Sequence, residues 1–122
     1  MCVFNNYILM QEELKELQKD ARTASRNYDD ELRLFQKKSV IDSFNAEKVK
    51  AKYDAYQESK EKILRKQEEI QFVQQQIADY LTAMNGMAIR HKHSRGEVEE
   101  TLIFEMETND YGEKNLVIAK ED

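Results

Sequence analysis

Apolar residues recur in a seven-residue repeat along two long stretches of this chain, and that repeat limits the fold more than any other feature. The first stretch covers residues 7–35 and the second covers residues 49–84. Such a repeat is typical of helices that pack side by side. We therefore predict an antiparallel two-helix coiled-coil hairpin, with helices over 5–39 and 46–85 joined by a turn over 40–46.

The register of the hairpin follows from the polar residues that interrupt the repeat. When facing residue numbers sum to 91, Tyr28 lies opposite Ile63 and Glu31 meets Lys60. Neighbouring registers separate that pair of opposite charges, so the sequence favours this one. One continuous helix, paired with a second copy, stays open as the alternative because a short stutter in the repeat also joins the two stretches.

The apolar pattern changes after Asn85 and Gly86, where Gly86 suits the left-handed position that ends a helix. Residues 98–108 and 114–120 alternate between apolar and polar side chains, and a turn sequence separates them. Alternation with period two predicts strands, so these segments should form an antiparallel β-hairpin. Residues 88–93 are expected to add a third strand.

The predicted fold class is therefore mainly α with a small β part. A helical hairpin over residues 1–86 is followed by an antiparallel β-hairpin or three-stranded meander over residues 87–122. Because so few strands are only marginally stable alone, the meander should pack on the open end of the hairpin or on a second chain.

Composition narrows the class of protein. Charged residues make up 35% of the 122 residues and apolar residues 40%, which suits an elongated or oligomeric helical protein. The single cysteine, Cys2, cannot form an internal disulfide, and we expect a small buried group there. No segment is expected to cross a membrane, and the first uncharged stretch, residues 1–11, lacks the features of a secretory signal. We expect a cytoplasmic protein.

Charge is distributed unevenly along the chain. Residues 97–122 carry nine acids and two lysines, so the total of −5 leaves +2 for the rest. Residues 33–52 hold six bases and two acids. The acidic total disfavours nucleic-acid binding. The basic turn and the acidic C-terminal part permit steering towards an oppositely charged partner or head-to-tail self-association, and the alternative is that both are solubilising faces.

A first candidate site is the apolar cluster at the predicted turn. Val40, Ile41 and Phe44 lie off the heptad positions of both helices and are flanked by Lys37 and Lys48. An exposed apolar cluster with a charged rim is typical of a docking surface for another protein. The alternative is that the three apolar side chains fold inward and close the hairpin.

A second candidate site is the basic segment that holds Arg90, His91, His93 and Arg95. Guanidinium groups match the geometry of phosphate, so the segment is a candidate for binding or sequestering an anionic small molecule or nucleotide at a subunit interface. Two histidines alone are a weak metal signal, and we assign no metal site. The alternative is a solvated turn whose cations balance the acids of residues 97–100.

The sequence holds no phosphate-binding loop and no nucleophile motif, so we expect neither an enzyme nor a bound cofactor. Lys60, Gln67 and Gln74 interrupt the apolar seam of the second helix, which predicts association into a dimer or higher oligomer. The leading hypothesis is a non-enzymatic protein–protein interaction module, such as an adaptor, an assembly factor or a phage-type inhibitor. The alternative hypothesis is the anion binder described above.

Overall fold

The fold is a helical hairpin followed by a small antiparallel sheet, as described by a computed structural model for residues 2–37 and 43–121. This arrangement confirms the predicted fold class. The elements in chain order are α1 (Val3–Gln36), α2 (Ser43–Ala83), β1 (Ile89–Arg95), β2 (Val98–Thr108) and β3 (Lys114–Lys120).

The connection between the helices lies earlier in the chain than the sequence predicted. Ser43, Phe44 and Asn45, which the predicted turn included, form the first turn of α2. The helix α1 ends at Gln36, three residues before the predicted end. Asn and Ser favour turns but are also common at helix starts, so composition alone placed the break too late.

Two contacts show that the predicted register is wrong. Tyr28 packs against Tyr53 rather than Ile63, and Glu13 forms an ion pair with Lys66. The facing numbers sum to 81 and 79 instead of 91. An earlier turn brings residues of lower number opposite each other, and the shift is not a whole number of heptads, so the layers that the repeat predicted are not the ones that form.

Helix α2 ends in a Schellman motif. The Gly86 N–H donates to the Leu81 carbonyl at 2.9 Å, and the Asn85 N–H donates to the Thr82 carbonyl at 3.1 Å. Asn85 occupies the left-handed C′ position with φ of 60°, and Gly86, which we had predicted there, follows with φ of 74°. Asparagine tolerates this conformation better than most residues, so both residues stop the helix.

The chain divides into two compact units that do not simply separate helix from sheet. One unit is continuous and covers residues 10–68. The other joins the start of α1, up to Leu9, with the remainder of α2 and the sheet, from Glu69 onward. We call the first the helical unit and the second the sheet unit.

The core of the sheet unit centres on Phe104 in β2, whose side chain is fully buried. Its ring lies 4.9 Å from that of Phe4 and 5.8 Å from that of Tyr7, measured between centroids. Ile77 and Leu81 of α2 are also fully buried. Burial of large apolar side chains drives this unit to fold, because each removes its apolar surface from water.

The sheet has the strand order β1-β2-β3, with both neighbouring pairs antiparallel. Phe104 lies opposite Ile89 on one side and Ile118 on the other, so these three side chains share the buried face. Ile103 lies between Arg90 and Ala119 on the opposite face. We refer to these as the inner and outer faces of the sheet.

The turn between β2 and β3 is closed by the side chain of Asn109. Its Oδ1 accepts hydrogen bonds from the N–H groups of Tyr111 and Glu113, at 3.0 and 2.9 Å. Gly112 has φ of 78°, a conformation that glycine adopts without steric cost. The predicted strands 98–108 and 114–120 agree with β2 and β3.

Cys2 is exposed rather than buried, since the residues that cover the sheet begin with Val3 and Phe4. Neither helix, within the described residues, combines the length and the hydropathy required to cross a bilayer.

Candidate functional site

Phe44 lies in the first turn of α2 with 64% of its surface exposed. The ammonium group of Lys48, one helical turn later, lies 5.0 Å from the centre of its ring. Most of the Phe44 surface is therefore exposed rather than folded inward. A cation over an aromatic face limits the conformations of both side chains and leaves the ring edge available for contact.

A hollow of about 150 Å³ lies in the helical unit, and Lys48, whose ammonium lies over the Phe44 ring, is one of its lining residues. Glu31, Leu34 and Phe35 of α1 and Asn45 and Lys48 of α2 line it. Leu34 is 56% exposed, so the hollow has an apolar rim that faces solvent. We define Leu34, Phe35, Phe44 and Lys48 as the tip surface.

The described part of the sequence-predicted cluster comprises Phe44, Lys37 and Lys48. Phe44 and Lys48 lie together, and Lys37 is exposed directly after α1. Val40 and Ile41 lie outside the described residues. Leu34 was not predicted as part of this surface. It lies next to Phe35 in sequence but outside the heptad positions, so the seven-residue repeat does not identify it.

Strand β1 separates the residues of the basic segment onto two faces. Arg90 and Lys92 project to the outer face, where Arg90 hydrogen-bonds to Glu121 and the Lys92 ammonium lies 3.8 Å from a Glu99 oxygen. His91 and His93 project to the inner face. Alternation along a strand makes convergence of all four predicted anion ligands impossible within one regular strand.

The two histidines have different surroundings on the inner face. His91 stacks on Phe4 at 5.6 Å between centroids, and its Nε2 lies 2.7 Å from Oδ1 of Asn5. The His93 side chain is 12% exposed, and its Nε2 lies 3.5 Å from a carboxylate oxygen of Glu100. His91 therefore helps to fix the start of α1 on the sheet, and His93 faces an acid.

The pKa values of Arg90 and Glu121 are shifted in opposite directions. The hydrogen bond from Arg90, reinforced by its positive charge, lowers the pKa of Glu121 below its ordinary value of 4.5. The same hydrogen bond, followed by the charge of Glu121, raises the pKa of Arg90. Both shifts favour the charged pair, so the Arg90 guanidinium is already engaged by a carboxylate.

A second concave region lies in the sheet unit, between α2 and the β2–β3 edge of the sheet. A groove of about 590 Å³ runs beside Gln74 and Ala78 of α2, and Leu116 of β3 forms part of its other wall. A hollow of about 420 Å³ adjoins it, because Thr82, Met106 and Lys114 line both. We call the two together the α2–β3 groove.

No set of three or more His, Cys, Asp and Glu side chains among the described residues is arranged to hold a metal ion. Comparison of the chain with protein-family models, curated proteins and solved structures found no match.

Proposed function

We propose that this protein is a non-enzymatic interaction module that binds another protein through the tip surface. The observation that carries the proposal is the exposure of two large apolar side chains near Lys48: Leu34, which lines the hollow with Lys48, and Phe44, whose ring lies under the Lys48 ammonium. Large apolar side chains at this exposure contribute little to folding, whereas aromatic anchors often dominate the energy of an interface.

The expected partner is an acidic protein with an apolar side chain that fills the hollow. Positions 33–52 carry six basic residues against two acidic ones, so the tip attracts negative charge. Such attraction raises the association rate and falls with added salt. An adaptor, an assembly factor and a phage-type inhibitor all act by occupying a surface in this way.

The test places a photocrosslinking amino acid at Phe44 to identify the partner in cells of the native host. The purified partner is then titrated against the parent protein and the variant Phe44→Ala with Leu34→Ala. We expect the double variant to weaken binding by about 2 kcal/mol or more, the usual cost of losing an interface anchor.

Phe72→Ala is the matched control, because Phe72 is a phenylalanine of α2 with a similar exposure of 66%. It should leave the affinity unchanged. Equal loss of affinity in Phe72→Ala and the tip variant, with helical content intact in both, contradicts the assignment of the tip as the docking surface.

We further propose that the protein associates with itself in a dimer or higher oligomer. Helical residues that include Leu9, Leu64 and Tyr80 expose 46%, 60% and 48% of their surface, which is much apolar area for a chain of this size. Light scattering at micromolar concentration should give the mass of at least two chains. A monomer whose melting temperature is independent of concentration contradicts this proposal.

A further inference from the structure

Strand β3 forms an open edge of the sheet, since β2 is its only neighbour in the strand order. Two bonds fix the hydrogen-bond alternation: the Glu121 N–H donates to the Thr101 carbonyl, and the Asn109 N–H donates to the Glu113 carbonyl, both at 2.9 Å. Alternate residues of an antiparallel strand bond to opposite sides. The residues of β3 whose backbone N–H and C=O groups point away from β2 are therefore Lys114, Leu116, Ile118 and Lys120.

These outward backbone groups have no backbone partner elsewhere in the described residues. Unpaired groups along an edge form a template for one more strand. Lysine is a common means of protecting such an edge, and β3 has a lysine at each end, Lys114 and Lys120. Lysine charges thus protect the two ends of the edge, and the backbone groups between them can form hydrogen bonds with another strand.

The side chains of the same four residues lie on the inner face of the sheet. Leu116 lies beside Met106, and Ile118 lies beside Phe104. The α2–β3 groove adjoins this part of the edge, with Leu116 and Lys114 among its lining residues. A strand added to β3 would therefore place alternate side chains towards the groove.

Charged residues in the groove and at the ends of β3 indicate which class of peptide binds there. Lys114 lines both parts of the groove, and the carboxylate of Asp79 on the α2 wall accepts a hydrogen bond from the Gln75 amide at 2.9 Å. At the far end of β3, the Lys120 ammonium lies 3.7 Å from a Glu100 oxygen and is 69% exposed. Each lysine retains exposed surface for a further carboxylate.

We propose that the β3 edge and the α2–β3 groove bind an extended peptide segment by strand addition. The segment carries apolar side chains at alternate positions, opposite Leu116 and Ile118, and a carboxylate at each end, opposite Lys114 and Lys120. Backbone hydrogen bonds supply affinity, and the alternate side chains supply specificity. This surface is separate from the tip surface and does not depend on the function proposed for it.

A second copy of the chain fits the edge less well than an acidic peptide. Antiparallel pairing of two β3 strands brings four lysines to one short ladder, and like charges close together across strands destabilise the pairing. A peptide with terminal carboxylates replaces that repulsion by attraction. The test is designed so that self-pairing gives a different result.

The probe is the synthetic peptide Glu-Thr-Val-Thr-Val-Thr-Glu, acetylated and amidated at its ends, titrated into the isotope-labelled full chain. We expect the amide signals of β3 to shift, with Lys114, Leu116, Ile118 and Lys120 gaining protection against hydrogen exchange. The opposite open edge serves as the internal control, so the amides of Arg90 and Lys92 should remain unchanged.

Two further peptides separate the causes of binding. The peptide Lys-Thr-Val-Thr-Val-Thr-Lys should bind roughly tenfold more weakly, because attraction at both ends becomes repulsion. A version of the acidic peptide with N-methylated valines keeps the charges and apolar groups but cannot donate from those positions. The N-methylated peptide should not bind. Binding equal to that of the unmethylated acidic peptide would overturn strand addition.

Protein variants complete the test. Lys114→Glu should weaken binding of the acidic peptide several-fold and strengthen binding of the basic peptide. Lys92→Glu, the same charge change on β1, should alter neither affinity. Phe44→Ala should leave peptide binding intact even where it abolishes binding at the tip. Protection of the four β3 amides without peptide, lost on dilution, would assign the edge to a second copy and overturn the proposal, as would unshifted β3 signals at saturating peptide.

Discussion

The rings of Tyr28 and Tyr53 pack edge to face in the helical unit, with centroids 5.4 Å apart and planes at 64°. Aromatic pairs favour this geometry because the positive ring edge meets the negative face of the partner. The contact fixes which residues of α1 and α2 face each other. It also decides between the observed register and the one that the heptad repeat predicted.

A disulfide experiment checks the register directly. Cysteines at Tyr28 and Tyr53, in a Cys2→Ser background, should form an intrachain disulfide because facing positions bring their Cβ atoms near bonding range. Cysteines at Tyr28 and Ile63 should not. Non-reducing electrophoresis separates the outcomes, and efficient crosslinking of the second pair alone would restore the predicted register.

The ion pair between Glu13 and Lys66 should stabilise the hairpin measurably. Its atoms are 2.5 Å apart, and the Lys66 side chain is only 17% exposed. A double-mutant cycle with alanine should give a coupling energy of about 1 kcal/mol in urea unfolding, at the upper end for such pairs. The exposed pair of Glu58 and Lys62, one helical turn apart, is the control. It should give less than half that value, and equal couplings would show that burial adds nothing.

Removal of the Phe104 side chain should destabilise the protein severely. Phe104→Ala leaves a cavity in the sheet unit and should cost about 3–5 kcal/mol of the free energy of unfolding. Ile103→Ala, the neighbouring change on the outer face, should cost clearly less because Ile103 is only partly buried. Chemical denaturation followed by circular dichroism compares them, and similar losses would contradict the assigned inner face.

The Arg90–Glu121 pair should make stability depend on acid. The pKa of Glu121 is lower in the folded state than its ordinary value of 4.5, so the unfolded state binds more protons in this range. Stability therefore rises with pH there, and the contribution is lost as pH falls through the lowered pKa.

Glu121→Gln should remove that part of the pH dependence between about pH 5 and pH 2, as measured by thermal unfolding across this range. The effect should be small, since both side chains are solvated and screened. Asp110→Asn, a change of the same charge in the β2–β3 turn, is the control and should retain the dependence. An unchanged profile in Glu121→Gln would show that the pair does not influence folding.

Sequence periodicity was sufficient for the strands and for the existence of both helices. Alternation over residues 98–108 and 114–120 reflects one buried face, and that cause operates locally. The register between the two helices was less well determined, because a heptad repeat identifies the core positions of each helix but not the offset between the helices. The predicted contact between Glu31 and Lys60 was a poor guide to the register. The Lys60 ammonium lies 4.8 Å from the centre of the Tyr56 ring on its own helix.

The candidate surfaces were predicted unevenly. Phe44 was predicted as a docking residue because it is an apolar residue outside the heptad positions in a lysine-rich segment. The groove beside β3 was missed, since it depends on the packing of α2 against a sheet distant in sequence. The basic segment suggested a convergent site, but charge density along a chain does not show that neighbours on a strand point in opposite directions.

Contact between Phe4 and Phe104 has a consequence for the order of events during synthesis. All residues from Phe4 to Phe104 must leave the ribosome before the first turn of α1 meets its partner in β2. The helical unit is continuous over residues 10–68, so all of its contacts join residues that are synthesised earlier than β2. It is therefore expected to form first on the nascent chain, while Phe4 and Tyr7 stay without their Phe104 contact until β2 has been synthesised.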